Sequence, residues 1–507
     1  MDKQKTIVVI GAGLAGMSAG IYLLRSGYRV ILLEKNPSVG GLCTGWYRKG
    51  RYIDGCIHWL TGTKDGDSCN HIWKDIGAFE NENDLIYLDT WGDFTYEGQT
   101  VRLLRDHRQA EQEWLAIAPE DSKEIKRFFK MVRAFIDVKL PMEKPSSMLP
   151  LSSLLPLGLS VIKHPSYLWT MKMSTDKYAL RFKNPAIRFA IKNAQPGAGN
   201  LFSMIFSYAT IAGNTGAVPI GGSKPMVERI KNRFLGLGGT LIVNADVKKI
   251  NTKKGFATDV VLKNGQIIKG DYFVSTIAPN YTLDVLLEGK YKSPILKDRN
   301  NYHKHPSIST LMVTYEIEDI GDLGSITTFP IKPINILGKD HDFIDIRNFA
   351  YDPKYFVHDN KTICNTMFHL FDDDYFKWEQ LYQDKAAYRL EKERIANEVV
   401  NRIEEQYPQY KGKTTVLDVF TPITLNRYTN APRGAYMGLF TNKQPRLSHS
   451  GAIAGLNNLY IASQWLEAPG GLPFAAASGK WTAIRICKQD GVQFDYQNSI
   501  LYKKAII

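Results

Sequence analysis

No stretch of the 507-residue chain reaches the roughly 18 to 20 uninterrupted apolar residues of a membrane-spanning helix, so no bilayer-crossing helix is expected. The basic tip and apolar run at the start superficially copy a signal peptide. Glycines interrupt the run after five residues and no cleavage site follows a longer apolar core, so it reads as a strand. Cysteine is scarce. Cys43, Cys56, Cys69, Cys364 and Cys487 are too few and too scattered for a disulfide framework, which predicts a reducing, cytoplasmic setting. No pair has zinc-knuckle spacing; Cys43 and Cys56, the pair near the N-terminus, match no metal motif and read as small buried residues. Asp372, Asp373 and Asp374 lack further ligands and read as a solvated turn, so no metal is expected. Internal repeats and low-complexity tracts are missing. The net charge of +13 favours anionic partners such as a membrane surface, nucleic acid or an acidic substrate and does not by itself choose among them, though no nucleic-acid motif accompanies it and no nucleic acid is expected to bind. Nothing in the sequence fixes an oligomeric state.

What is present is the composition of a globular protein, 44% hydrophobic and 23% charged, at a length that favours two associated domains over one enlarged core. Residues 6–10 form a short β-branched apolar run without polar alternation, as in a parallel strand buried on both faces. Gly11, Gly13 and Gly16 follow in G-x-G-x-x-G spacing. A helix is predicted over 14–26 with Gly27 closing it, then a strand over 28–33 ending at Glu34. The glycines have separate tasks: Gly11 permits the tight turn, Gly13 lets the backbone approach a pyrophosphate, and Gly16 allows close helix-to-strand packing. Leu14 and Ala15 open a helix whose free N–H groups and positive dipole end face the phosphates, while Glu34, followed by Lys35, can accept hydrogen bonds from a ribose. An NAD site rarely needs a second glycine pair so soon. Gly40 and Gly41, with Leu42, therefore select FAD, whose pyrophosphate such a loop lines.

Beyond residue 75 the pattern changes. Helical periodicity appears at Phe128, Met131, Val132 and Phe135; strands are predicted over 239–247, 258–262 and 271–275; one long helix over 376–406; and a last strand over 458–462 leads through glycines into a helix over 473–487. The alternation predicts an α/β protein with a Rossmann-like FAD-binding domain in discontinuous pieces, 1–75, 220–300 and 451–507. An α+β substrate domain, 76–219 and 301–450, is inserted between them.

With these motifs in place the chain resembles the FAD-dependent amine oxidase and phytoene desaturase superfamily, and within it the retinol saturase and carotenoid isomerase branch. The resemblance rests on the glycine pair, then Gly50, Asp54, Ile57, His58 and Trp59, with Cys56 where a glycine usually falls. It continues in the turn at Pro219, Gly221 and Gly222, in a strand end near Val247 that in relatives meets the adenine, and in the stretch 421–438. The final landmark is NLYIASQWLEAPGGLPFAAASGK, where Ser463 and Gln464 replace the Gly-Asp of many relatives. Gly470 and Gly471 let the chain run close to the flavin, Leu472 follows them among the expected cofactor contacts, and the helix starting near Pro473 aims its dipole at the flavin N1 and C2 carbonyl. No cysteine lies in this flavin-facing stretch, so binding is expected to be noncovalent.

The resemblance implies hydride transfer between flavin N5 and a carbon of a hydrophobic isoprenoid or lipid, by saturation, desaturation or isomerisation. Two alternatives are an amine or porphyrinogen oxidase and a noncatalytic, flavin-stabilised membrane or nucleic-acid binding protein. His58 is a catalytic candidate because histidine transfers protons near neutral pH, against the plainer reading of a packing residue. Glu467 is a second candidate, against a structural role. The segment 149–192 interleaves Lys163, Lys172, Lys177, Arg181, Lys183, Arg188 and Lys192 with Tyr167, Trp169, Tyr178 and Phe182, which suits peripheral contact with an anionic membrane.

Overall fold

The computed structural model describes residues 4–136, 138, 142–144, 166–195, 200–294, 302–303, 306–438 and 448–495. Its first layer is a five-stranded parallel sheet. Strand β1 (Thr6–Ile10), helix α1 (Leu14–Arg25) and strand β2 (Arg29–Leu33) start it, and the sheet order is Thr240–Ile242, β2, β1, Tyr272–Ser275, Leu459–Ile461. Ile7, Val8 and Val9 are fully buried, as the unbroken apolar run requires of a strand covered on both faces. One sheet thus draws strands from three distant parts of the chain. Helix α1 packs against the helix Leu472–Asp490, and their approach depends on glycine: a Cβ on Gly479 would lie 2.5 Å from the Ala15 carbonyl oxygen.

A nine-stranded mixed sheet forms the second body. Its main path runs Thr414–Phe420, Ser307–Glu318, Lys361–Phe371, Lys339–Asn348, Ile326–Ile336, Thr90–Tyr96, Gln99–Leu104. One face packs on the helices Asp372–Leu381 and Lys385–Gln406 through Trp378, Ile395, Val399 and Ile403. Beside the sheet lies a helical cluster in which Ser122–Ile136 buries Phe128, Met131, Val132 and Phe135, the periodic positions of the sequence, each contributing roughly 1.5–3 kcal/mol.

Three expectations change. The single helix over 376–406 is two, because Asp384 caps a new start by accepting from the Ala386 and Ala387 amides. The strand over 239–247 stops at Ile242; Asn244 turns the chain at φ +54°, and Val247 opens an antiparallel strand of a separate three-stranded sheet. Asp372 is no solvated turn residue. It is buried in the first turn of its helix, accepting from the Ser307 amide at 2.9 Å and hydroxyl at 2.6 Å and pairing with Arg433.

Candidate functional site

The carboxyl ends of β1 and β2 open into a cavity of about 830 Å³ that extends to the face of the nine-stranded sheet opposite its helices. On the nucleotide-fold side, Gly11, Gly13, Leu14, Ala15, Glu34, Lys35, Gly40, Gly41, Leu42 and Val247 border it. Gly16 does not: a Cβ there would meet the Gly11 carbonyl oxygen at 2.0 Å, so its task is packing at the strand end. Gly11 adopts φ +100°, where its own Cβ would crowd Thr276. Gly13 differs from both. Its added Cβ meets nothing nearer than 3.8 Å, so protein packing does not demand glycine there; the open space it faces belongs to the cavity. That void beside the first turn of α1 fits a pyrophosphate.

Glu34 ties the turn together. Its buried carboxylate accepts from the Ala12 amide at 2.9 Å and, through its other oxygen, from the Asn36 amide and side chain at 2.9 and 2.8 Å. Lys35 donates to Asn430 at 2.8 Å and to the Arg427 carbonyl, which joins the 421–438 stretch to the end of β2.

Ile57 and His58 reach the cavity on the segment after the hairpin of β3 (Gly45–Arg48) and β4 (Arg51–Asp54). Asp54 explains why two sequence landmarks occur together. Its carboxylate accepts from Ser223 N and Oγ and from the Cys56 amide, and a Cβ on Gly222 would lie 2.0 Å from it. Burial, then Arg347 and His369, push the His58 imidazole well below the usual histidine range, so it stands neutral.

At the C-terminal landmark, Ser463, Gln464, Gly471, Leu472 and Pro473 all border the cavity. The Gln464 amide is engaged by protein: it donates to the Tyr436 carbonyl at 2.8 Å and accepts from Gly471 N at 2.8 Å, pinning the loop before the last helix. Gly471, at φ +99°, is that helix's N-cap, and Leu472 and Pro473 form its first turn. Glu467 does not border the cavity. Its carboxylate is turned to Ser448, and burial raises it to about 7; the catalytic expectation for it is withdrawn on that geometry.

Sequence reading missed the polar groups on the sheet. Alternation along Lys339–Asn348 puts Phe343 and Asp345 on the cavity side while Ile344 and Ile346 face the helices. Register sets Asp345 beside Thr328, and Thr310 beside His369. The Met367 amide donates to Asp345 Oδ1 at 3.1 Å, and burial raises this carboxyl to about 6. His369 is pushed down to about 4 by burial and by His341 and Lys339, while its Nδ1 lies 3.3 Å from the Tyr436 hydroxyl. Arg347, a buried cation, donates to the Ile57 carbonyl and so ties the sheet to the His58 segment. A signal existed: in FIDIR, Ile344 and Ile346 alternate with Asp345 and Arg347, the period-two pattern of a strand with one apolar and one charged face.

The chain matches the family of flavin containing amine oxidoreductases over residues 14–487. It belongs to that family. Among curated relatives it is 24% identical over 525 residues to prolycopene isomerase 1, chloroplastic, of an Oncidium hybrid cultivar, covering 96% of this chain and 84% of that one. It is 22% identical over 523 residues to 4,4'-diaponeurosporene oxygenase of Staphylococcus aureus, covering 95% and 98%. The fold matches a redesigned putrescine oxidase with a TM-score of 0.59 at 12% identity, covering 96% and 99% of the two chains. An oxidoreductase from Methanosarcina mazei matches with a TM-score of 0.58 at 14% identity, covering 95% and 100%. The protein is a flavin-dependent oxidoreductase, and FAD is its cofactor.

Proposed function

We propose that the enzyme moves hydride between FAD and a carbon of a hydrophobic isoprenoid or similar lipid, changing the saturation or geometry of C=C bonds. The observation that carries this reading is the continuity of the cavity. A dinucleotide turn at one wall and a largely apolar chamber lined by Trp59, Trp91, Phe206, Ile308, Phe343 and Met367 share one space. The curated relatives support it, since two are named for polyenes, prolycopene and 4,4'-diaponeurosporene.

In this reading Gly11, Gly13, Leu14 and Ala15 hold the pyrophosphate against the N-terminus of α1, with Gly40, Gly41 and Leu42 closing the other side. Glu34 and Lys35 face the ribose, and Val247 the adenine. Ile57, His58, Ser463, Gln464, Gly471, Leu472 and Pro473 border the ring system, with the N-terminal dipole of Leu472–Asp490 favouring negative charge there. Bound without a covalent link, FAD supplies a two-electron hydride donor or acceptor. The chain's own work is to align the substrate, exclude water and manage a proton. Asp345 is the group suited to exchange that proton near neutral pH, because burial has brought its carboxyl to about 6. Neutral His58 and His369 border the same chamber and offer polar atoms to the substrate.

An insoluble substrate must reach this chamber. We propose peripheral docking on anionic membrane through the 149–192 segment, of which 149–165 lies outside the described residues. Lys172, Lys177 and Lys183 are exposed, as is Leu180 at 72%. Tyr178 and Phe182 do not serve this surface, being fully buried, and Trp169 stands between Arg127 and Arg181. Among the described residues no helix is long and apolar enough to cross a membrane. The test of the function is an anaerobic screen of oxidised and reduced holoenzyme against polyenes, other lipids and amines, followed by flavin absorbance. Spectral change with polyenes is expected; change with amines alone would instead support an amine oxidase.

A further inference from the structure

Cys43 and Cys56 carry chemistry that hydride transfer to a lipid does not use. The β3–β4 hairpin pairs Gly45 with Asp54, and the Gly55 amide donates to the Thr44 carbonyl at 3.1 Å. Continued one step further, this register sets Cys43 opposite Cys56. The Gly55–Thr44 bond makes 44/55 a hydrogen-bonded pair and 43/56 the adjoining non-hydrogen-bonded pair, in which opposed Cβ atoms approach most closely, at about 4.5 Å, the upper end of the separation a disulfide spans. Both residues are pinned at the backbone: Cys43 N donates to the Gly40 carbonyl at 3.0 Å and Cys56 N to Asp54 Oδ1 at 2.8 Å. Both border the cavity, Cys43 through the loop that carries the second glycine pair. Cys69, Cys364 and Cys487 are buried elsewhere and do not border it.

The two thiols also interact. The neighbouring Cys56 thiol, then burial, push the Cys43 thiol well above the ordinary range, as expected where one sulfur hydrogen-bonds to the other and a second proton leaves with difficulty. Cys56 influences the Tyr436 hydroxyl as well, and the Tyr436 carbonyl receives the Gln464 amide that pins Gly471. The pair therefore sits between the glycine-pair loop and the loop that opens the last helix.

We propose that Cys43 and Cys56 form a redox-active dithiol that exchanges two electrons with FAD bound in this cavity. Two S–H bonds break and one S–S bond forms; the two electrons and two protons pass to FAD, giving FADH₂. The reverse direction returns the two thiols. Cys56, the less buried of the two, would be the sulfur that faces bound FAD, with Cys43 closing the disulfide behind it. The holoenzyme then stores two electron pairs, one on the flavin and one on sulfur.

Anaerobic titration of FAD holoenzyme with dithionite tests this without any lipid or amine, so its outcome is independent of the substrate reading. Wild type is expected to take up about four electrons per FAD, and Cys43→Ser or Cys56→Ser about two. A second readout needs no variant. Air-oxidised holoenzyme, denatured in iodoacetamide and digested, should yield the Cys43 and Cys56 peptides joined and lighter by two hydrogens, with the other three cysteines alkylated. After full reduction all five should alkylate. Uptake of two electrons by wild type, alkylation of all five cysteines in the oxidised protein, or a disulfide between other cysteines would each overturn the proposal.

Discussion

Replacing Asp345 by asparagine should make the holoenzyme more stable at neutral pH. The carboxyl lies deep in the cavity wall, and burial outweighs its backbone donors, the Met367 amide and its own, and moves it from the ordinary 3.8 to about 6. The folded state therefore binds a proton that the unfolded state has released between those values, and stability falls as pH rises through that window. Above pH 6 the ionised group costs the wild type about 3 kcal/mol, from 1.36 kcal/mol per pH unit across that interval. The same linkage leaves about 1.5 kcal/mol of that cost at pH 5. The asparagine side chain of Asp345→Asn keeps an oxygen for the Met367 amide and never ionises. Urea unfolding of the two FAD-loaded proteins, followed by flavin and tryptophan fluorescence, should show the variant ahead at pH 8 by about twice its lead at pH 5. Equal stability at pH 8, or a lead that shrinks as pH rises, would refute the assignment of a desolvated carboxyl facing the chamber.

Gly13→Val should abolish FAD retention, because the branched side chain fills the one open space beside the turn; full flavin occupancy after gel filtration would count against a pyrophosphate there. Glu34→Ala should retain measurable FAD affinity while losing roughly 1–3 kcal/mol of binding, through both the ribose and the freed Ala12 amide, as read by flavin fluorescence titration. Gly479→Val should unseat the last helix from α1 and lower both flavin content and melting temperature, since even its Cβ would lie 2.5 Å from the Ala15 carbonyl oxygen. Acid or heat should release all the flavin, and a flavin mass remaining on the denatured chain would end the noncovalent reading. Changing Lys172, Lys177, Arg181 and Lys183 together to glutamine should weaken binding to anionic vesicles at low salt without altering FAD content; undiminished vesicle binding would send the search for a substrate entrance elsewhere.

The nucleotide-binding unit was legible because each residue there does one task that its chemistry announces. An uninterrupted β-branched run, glycines at fixed offsets and an acid at the next strand end leave little choice of geometry, and the discontinuous sheet followed from the later apolar strands. The catalytic side was less legible. Glu467 looked catalytic from its place beside Gly470 and Gly471, yet one step along an irregular loop turned it to Ser448. Asp345 and His369 were overlooked because their meaning depends on cross-strand partners far apart in the chain. Asp54 carries a similar lesson. In the sequence it is only a landmark of the resemblance, whereas its hydrogen bonds show a brace under Gly222 and Ser223. Cys43 and Cys56 match no linear motif, and only the hairpin register makes them neighbours.

Whether the lipid occupies the same cavity as the flavin is most directly measured by an anaerobic single turnover. Holoenzyme in the oxidised or prereduced state is mixed with a polyene, and flavin absorbance is followed beside product mass spectra. Wild type is compared with Met367→Trp, which narrows the chamber at the sheet and leaves the dinucleotide turn untouched. The expected result is a polyene product from wild type, with flavin oxidation or reduction matching any change in saturation. Met367→Trp should retain FAD and lose that turnover. Polyene turnover undiminished in Met367→Trp, or flavin that responds to amines and ignores polyenes, would contradict the account.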